Sequence, residues 1–216
     1  MARSPAASRP VAALSPALEA LARRGVERAF AKDAIVLSEG DAGDTLFVIL
    51  RGSVKVFAMD EAGREITYGT IVAGDYFGEM SLDGGPRSAS VMTLEPTLCS
   101  AVPSSAVREH LEATPAFAMD LITQIIKRAR TATETARSMA LLDVYRRLAR
   151  QLESIEGPGR AALPVVLHGV THQELAARVG ASREMVSRLL KDLERGGYVS
   201  LATRRITLLK KLPARW

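Results

Sequence analysis

Cysteine is nearly absent from the sequence, which holds one thiol, Cys99, in 216 residues. A single cysteine closes no internal disulfide and leaves no set of thiolates for an iron–sulfur cluster or a structural zinc site. Its place in the alternating run Thr97 to Val102 suits a buried packing thiol better than a redox sensor. Histidine is scarce as well. His110, His168 and His172 are scattered, and no P-loop or nucleophile elbow accompanies them, so we expect no metal, no cofactor and no enzyme. His110 falls near the end of a short helix and His172 at the start of another, and both read as surface residues. Long apolar runs are also missing. The longest, such as Leu46 to Leu50, stop far short of the roughly 20 residues that cross a bilayer, so no membrane partner is expected. Met1 to Val11 lacks the apolar centre of a secretory signal and reads as a frayed extension of a cytoplasmic protein.

What is present has an uneven charge. Residues 163–216 carry ten Lys or Arg against four Asp or Glu, and the rest of the chain carries nineteen against twenty, so the whole net charge of +5 arises in the last quarter. Clustered cations release condensed counterions when they meet phosphates, so this pattern points to a polyanion. Anionic membrane would also attract it, but the segment contains no long amphipathic helix with a basic face.

The order of elements is α+β. Ser15-Pro16 is an N-cap followed by proline at the first helical position, and Leu18, Leu21 and Ala22 recur at helical spacing until Gly25. From Ala34 to Val102 short runs of Val, Ile, Thr and aromatics alternate with Gly40-Asp41, Gly43-Asp44, Gly52, Gly63, Gly74-Asp75 and Gly84-Gly85-Pro86. Strands at that spacing predict a small β-barrel or jelly roll. Pro115 opens the longest stretch free of Gly and internal Pro, running to Glu156, with Leu121, Ile122, Ile125, Ile126, Ala129 and Leu142 at helical spacing. It reads as one long helix that packs on the barrel, pairs with a second copy, or does both; its length favours pairing. After Gly157-Pro158-Gly159 come a strand within 163–168, two helical segments, and an alternating hairpin around Ala202 to Arg205, the order of a winged helix-turn-helix. The expected domains are therefore an extension (1–14), a sensor domain (15–114), a dimerisation helix (115–143) and a DNA-binding domain (144–216).

Thr171 caps the first helix of this last domain, Gln173-Glu174 fills its first turn, and Gly180 supplies a left-handed stop. Ser182 caps the second helix, whose inner stripe is Val186, Leu189, Leu190 and Leu193. Its outer face presents Arg183, Glu184, Ser187, Arg188 and Lys191, which spacing alone leaves open as a solvated face or as a reading face. Arginine near the start of a major-groove helix donates a fork to guanine, and glutamate accepts from cytosine. Arg183 and Arg188 are thus candidates for guanine and Glu184 for cytosine. Thr171, Gln173 and Ser182 are candidates for backbone phosphates, and Arg204 and Arg205 at the wing tip are further candidates for DNA contact.

VTHQELAARVGASREMVSRLLKDL, at Val170 to Leu193, resembles the DNA-binding module of the CRP/FNR regulator family. EGDAGDTLFVILRGSVKV and GDYFGEMSLDGGPRSASV, at Glu39 to Val56 and Gly74 to Val91, resemble its cyclic-nucleotide-binding jelly roll. The family implies a homodimer on palindromic double-stranded DNA with half-sites similar to TGTGA, bending of that DNA, and control by a cyclic nucleotide, cyclic AMP above all. It also implies RNA polymerase as a partner, touched through the turn 157–163.

A nucleotide needs donors for one phosphate, an acceptor for the ribose and apolar walls. Arg87, Ser88 and Ala89 suit the phosphate, Glu79 the 2′-hydroxyl, Gly78 a close approach of the chain, and Val56, Ile71 and Phe77 the walls. Alternatively, Glu79 and Arg87 simply pair across a turn. The family's adenine-holding pair, counted back from Asp143 at the hinge, falls on Ala132 and Thr133. Ala132 cannot hydrogen-bond a base, and Thr133 can, from a partner chain. The segment between Glu79 and Arg87 is two residues shorter than in the family's best-known member. These departures keep open a response to cyclic GMP or cyclic di-GMP, or none at all. A cyclic-nucleotide-controlled enzyme subunit is the remaining alternative, and no catalytic domain is seen.

Overall fold

A computed structural model of the chain describes residues 14–154, 163–214 and 216. The amino-terminal extension except Leu14, and the turn 157–163 except Leu163, lie outside the described residues. The chain forms two compact units, residues 1–58 with 68–128 and residues 59–67 with 129–216.

The first unit opens with α1 (Pro16–Ala22), where Ser15 accepts from the Leu18 amide and proline follows, as read from the sequence. Eight strands come next: β1 (Val26–Phe30), β2 (Ile35–Leu37), β3 (Thr45–Arg51), β4 (Ser53–Met59), β5 (Glu65–Val72), β6 (Tyr76–Phe77), β7 (Ser90–Thr93) and β8 (Thr97–Pro103). They make two four-stranded sheets, ordered β1-β8-β3-β6 and β2-β7-β4-β5, with antiparallel registers throughout the described pairs. This is the expected jelly roll.

Strand β3 shows why its sequence is continuously apolar rather than alternating. Phe47 and Ile49 face the core between the sheets, with Val54, Phe77, Val91 and Cys99. Leu46 and Val48 face a second core, closed by Leu18 and Leu21 of α1, Val107 of α2 (Ser104–Ala113), and Phe117 and Leu121 of α3 (Pro115–Leu141). Both faces of the strand are covered, so both must be apolar. Cys99 is fully buried, and burial pushes its thiol up to about 12, so it stays a protonated packing group. His110 is not the surface residue expected: it is 6% exposed, bonds the Ala17 carbonyl through Nε2 at 3.0 Å, and packs against Phe117. It ties α2 to α1.

The stretch free of glycine is not one helix. It breaks after Leu141 and resumes as α4 (Val144–Ser154). No glycine or proline is needed, because Asp143 Oδ1 accepts from the Arg146 amide at 2.8 Å, as an N-cap does. Arg147 meanwhile takes the Leu142 carbonyl at 2.8 Å.

In the second unit α4 joins β9 (Val165–His168), α5 (His172–Val179), α6 (Arg183–Arg195), β10 (Val199–Ala202) and β11 (Arg205–Leu208). Leu148, Leu152, Leu175, Leu190 and Leu193 are fully buried in one core, closed by the sheet β10-β11-β9. Helix pair and wing share that core.

Candidate functional site

The cassette begins where β6 ends. Gly78 takes left-handed backbone (φ 86°) and a single 3-10 turn, Glu79–Ser81, follows. A Cβ at Gly78 would lie 2.8 Å from the Thr45 carbonyl oxygen and 2.9 Å from Arg87 Nη1, so both conformation and space require glycine. At Gly43 it would lie 2.5 Å from Arg87 Nε. Two glycines thus let backbone close on one guanidinium.

Arg87 is 6% exposed. Its Nη1 donates to the Gly78 carbonyl (3.0 Å) and the Ser81 hydroxyl (2.6 Å), and Nη2 donates to the Thr45 carbonyl (2.9 Å). All three acceptors are neutral, and among the described residues no carboxylate forms an ion pair with it. Burial pushes its pKa down against the opposing fields of Asp44 and Glu79. A buried cation with two N–H donors to spare is an anion site in chemical terms.

Glu79 does not pair with Arg87. Its carboxylate, 3% exposed, meets Arg128 Nη1 at 2.5 Å. Arg128, on α3, also donates through Nη2 to the Tyr76 carbonyl at 2.7 Å and lies 5.5 Å from the Tyr76 ring centroid. Sequence reasoning missed Arg128. Only its helical position, seven residues after the buried Leu121, marks it out.

The remaining cassette residues are less uniform. Ser88 is exposed and donates to Met80 Sδ at 3.2 Å, while Ala89 is buried. Val56 and Ile71 are half-buried against the inter-sheet core; Phe77 is 2% exposed within it, stacked on Phe47 at 5.2 Å. Thr133 is exposed on α3 and bonds back to the Ala129 carbonyl, with Ala132 exposed beside it.

In the helix-turn-helix the expected caps are present. Thr171 Oγ1 accepts from the Glu174 amide (3.1 Å) while Glu174 Oε2 accepts from the Thr171 amide (2.8 Å), a reciprocal capping box. Gly180 is left-handed (φ 62°), and Ser182 accepts from the Met185 amide at 3.2 Å. Val186, Leu190 and Leu193 are fully buried and Leu189 half-buried, which turns Arg183, Glu184, Arg188 and Lys191 outward, all exposed. Ser187 is half-buried. Gln173, Arg204 and Arg205 are exposed, and Arg204 sits at the wing tip with φ 52°.

A groove of about 270 Å3 separates the wing from the helix pair, lined among others by Thr171, His172, Gln173, Arg183 and Arg204. His172 departs from the expected surface placement: it is half-buried, and its Nδ1 lies 2.8 Å from Ser187 Oγ.

Residues 27–114 match the cyclic nucleotide-binding domain family and residues 146–212 the Crp-like helix-turn-helix domain family. The chain is 31% identical over 176 residues to the CRP-like cAMP-activated global transcriptional regulator of Mycobacterium tuberculosis, covering 80% of this chain and 79% of that one. The chain belongs to the CRP/FNR family.

Other CRP/FNR proteins agree with that placement. Vfr of Pseudomonas aeruginosa, a cAMP-activated global transcriptional regulator, is 33% identical over 179 residues, covering 80% of this chain and 84% of its own. The c-di-GMP responsive global regulator CLP of Xanthomonas campestris superposes with a TM-score of 0.79 at 26% identity, covering 90% of this chain and 98% of its own. This CRP/FNR chain is thus a DNA-binding transcription regulator with a cyclic-nucleotide-binding domain, in a family of regulators rather than enzymes.

Proposed function

We propose that this regulator is a homodimer switched by a cyclic nucleotide, cyclic AMP in the first place, and that it binds palindromic DNA with half-sites similar to TGTGA. The observation that carries the nucleotide reading is Arg87, a buried guanidinium held by neutral oxygens. A cyclic phosphate supplies the missing negative charge, and charge-assisted bonds of this kind are worth roughly twice neutral ones. Ser88 exchanges its weak thioether acceptor for a phosphate oxygen, and Ala89 contributes its amide. Glu79 accepts from the ribose 2′-hydroxyl while Arg128 holds its carboxylate in place. Gly78 admits the ligand close to the backbone, and Val56, Ile71 and Phe77 supply the apolar side.

Dimerisation runs along α3, the helical part of the expected segment 115–143. Phe117 and Leu121 are buried inside their own unit, whereas Met119, Ile122, Ile125 and Ile126 of the same helix are 44–61% exposed. Four large apolar side chains on one stripe, each about half covered already, gain several kcal/mol together when a second copy covers them, about half of the ~1.5–3 kcal/mol that each fully exposed side chain gains. In this mechanism the nucleotide, engaged by Arg87 and by Thr133 of a partner chain, favours one pairing of these helices, and the break at Asp143 passes it to the reading heads. Only a ligand with unequal affinity for the two arrangements drives that change.

On DNA, Arg183 and Arg188 read guanine and Glu184 reads cytosine, with Ser187 and Lys191 on the same face. Thr171, Gln173, Ser182, Arg204 and Arg205 hold phosphates. A dimer places two such heads about one helical turn of DNA apart, roughly 34 Å, which requires a palindrome.

A second nucleotide remains a specific competitor, because Ala132 cannot bond adenine and a structural neighbour answers to cyclic di-GMP. Calorimetric titration with cyclic AMP, cyclic GMP and cyclic di-GMP, each followed by selection of bound duplexes from random DNA, tests the reading. Saturable cyclic AMP binding with enrichment of a TGTGA-like palindrome is expected. Enrichment that no nucleotide alters would end the switch.

A further inference from the structure

The contact between His172 and Ser187 joins α5 to the helix that reads DNA, and neither end of it is inert. Ser187 lies one helical turn after Arg183 and beside Arg188, half-buried between the exposed residues of α6 and α5, and its hydroxyl has one proton to donate and two lone pairs to accept with. His172 is the first residue of α5, held there by the Thr171 cap, and its ring lines the 270 Å3 groove. With Nδ1 engaged by Ser187, Nε2 is the ring nitrogen without a partner among the described residues.

The charges around the imidazole come from three elements. Glu174, on α5, is engaged with Thr171; Arg183 and Lys191 face it from α6; Arg204 lines the same groove from the wing. Its neighbourhood is cationic, and DNA brings the counter-charge.

We propose that His172 sets the hydrogen-bonding polarity of Ser187, so that the base pair facing Ser187 is read differently by the protonated and the neutral imidazole. The inference rests on α6 being the reading helix. A DNA phosphate in the groove accepts from Nε2–H in both states, and the proton gained or lost is the one on Nδ1. When Nδ1 carries a proton it donates to Ser187 Oγ, and the serine proton turns outward, toward an acceptor such as guanine O6 or thymine O4. When Nδ1 is bare it accepts the serine proton, and Ser187 offers only lone pairs, which suit cytosine N4 or adenine N6.

The direction of the pH effect follows. In the free chain, burial first, then Arg183 and Lys191, holds His172 below its ordinary value, which favours the neutral ring. Phosphates raise the pKa in the complex. DNA affinity therefore increases as pH falls through the bound pKa, and levels off below the free one.

The test is selection of duplexes from random DNA by the full chain with cyclic AMP, at about pH 8 and about pH 6, the range in which imidazole titrates. One position per half-site should change its preferred base, with a reversal of about fivefold, the worth of one neutral hydrogen bond. H172Q should lose that pH dependence and keep the rest of the site, and S187A should lose the preference at that position at both pH values. Calorimetry of wild-type binding in two buffers of different ionisation enthalpy should show proton uptake on complex formation. The same preference at both pH values, a shift that survives in H172Q, or no proton uptake would overturn the inference. No enriched sequence at either pH would overturn the assignment of α6 itself, and this inference with it.

Discussion

On the proposed reading, the two recognition surfaces of this chain solve opposite problems. The cassette holds one cation, Arg87, almost wholly out of water and braced by three backbone or hydroxyl oxygens, with glycines at 43 and 78 so that the chain can close on it. The proposed DNA face holds Arg183, Arg188, Lys191, Arg204 and Arg205 in water. A small ligand with one phosphate must be bound by few bonds made strong through desolvation and rigidity. A polyanion is bound by many contacts, each weak and screened, whose side chains must stay free to fit base edges. Rigidity therefore belongs to the cassette itself in the first case, and in the second to the core behind the face.

The sharpest way to break that contrast is to remove the support behind α6. Leu190 is fully buried beneath the reading face, and Leu190→Ala should cost about 2–5 kcal/mol of stability in the second unit. Denaturant unfolding followed by circular dichroism should show this, with DNA binding weakened and nucleotide binding retained. If nucleotide binding fell equally, the two surfaces would share one cooperative core. Next in size is Arg87→Leu, which leaves the cassette without its cation. Calorimetry should show at least about a hundredfold loss of cyclic AMP affinity, the worth of one or two charged hydrogen bonds. Arg87→Lys should lose much of the same, because an ammonium cannot reproduce the fork that spans Gly78, Ser81 and Thr45.

Arg188→Ala probes the opposite surface, where one side chain counts for less. It should cost about 1–3 kcal/mol on the preferred duplex and relax preference at one base pair. Gln173→Ala should weaken all duplexes alike. Uniform loss from both, measured on a panel of single-base variants, would place the reading face elsewhere.

Legibility in the sequence divides along the same line. The caps at Ser15, Thr171 and Ser182 and the stop at Gly180 depend on residues within four positions of each other, so residue type alone announced them. The short runs of Val, Ile, Thr and aromatics spaced by glycine turns announced the jelly roll. Long-range partners were not announced. Arg128 reaches Glu79 across 49 positions, and its helical spacing from Leu121 does not name that partner. His110 finds its acceptor 93 residues away, and a lone histidine in a polar helix reads as exposed. The hinge at Asp143 was legible only through the family resemblance, and the residue pattern hid it for another reason: an aspartate cap needs neither glycine nor proline, and the apolar spacing continues through it. The resemblance in the ligand segments located the cassette, but the electrostatic state of Arg87 appears only once the neighbours are placed.

The smallest effect is also the most discriminating between the surfaces, since it concerns salt. If the DNA face binds through many exposed cations, the logarithm of its affinity should fall linearly with the logarithm of salt concentration, by about 0.9 for each phosphate neutralised. If the cassette meets one phosphate with its buried cation, its affinity for cyclic AMP should fall only a few-fold over the same range, because buried pairs are screened much less. Lys191→Ala should then reduce the DNA slope by about one contact while changing affinity at moderate salt by less than Arg188→Ala does. Fluorescence anisotropy across a salt series measures both slopes. An unchanged slope in Lys191→Ala would mean that this exposed lysine meets solvent rather than phosphate, and the basic surface would have to be carried by Arg183 and the wing.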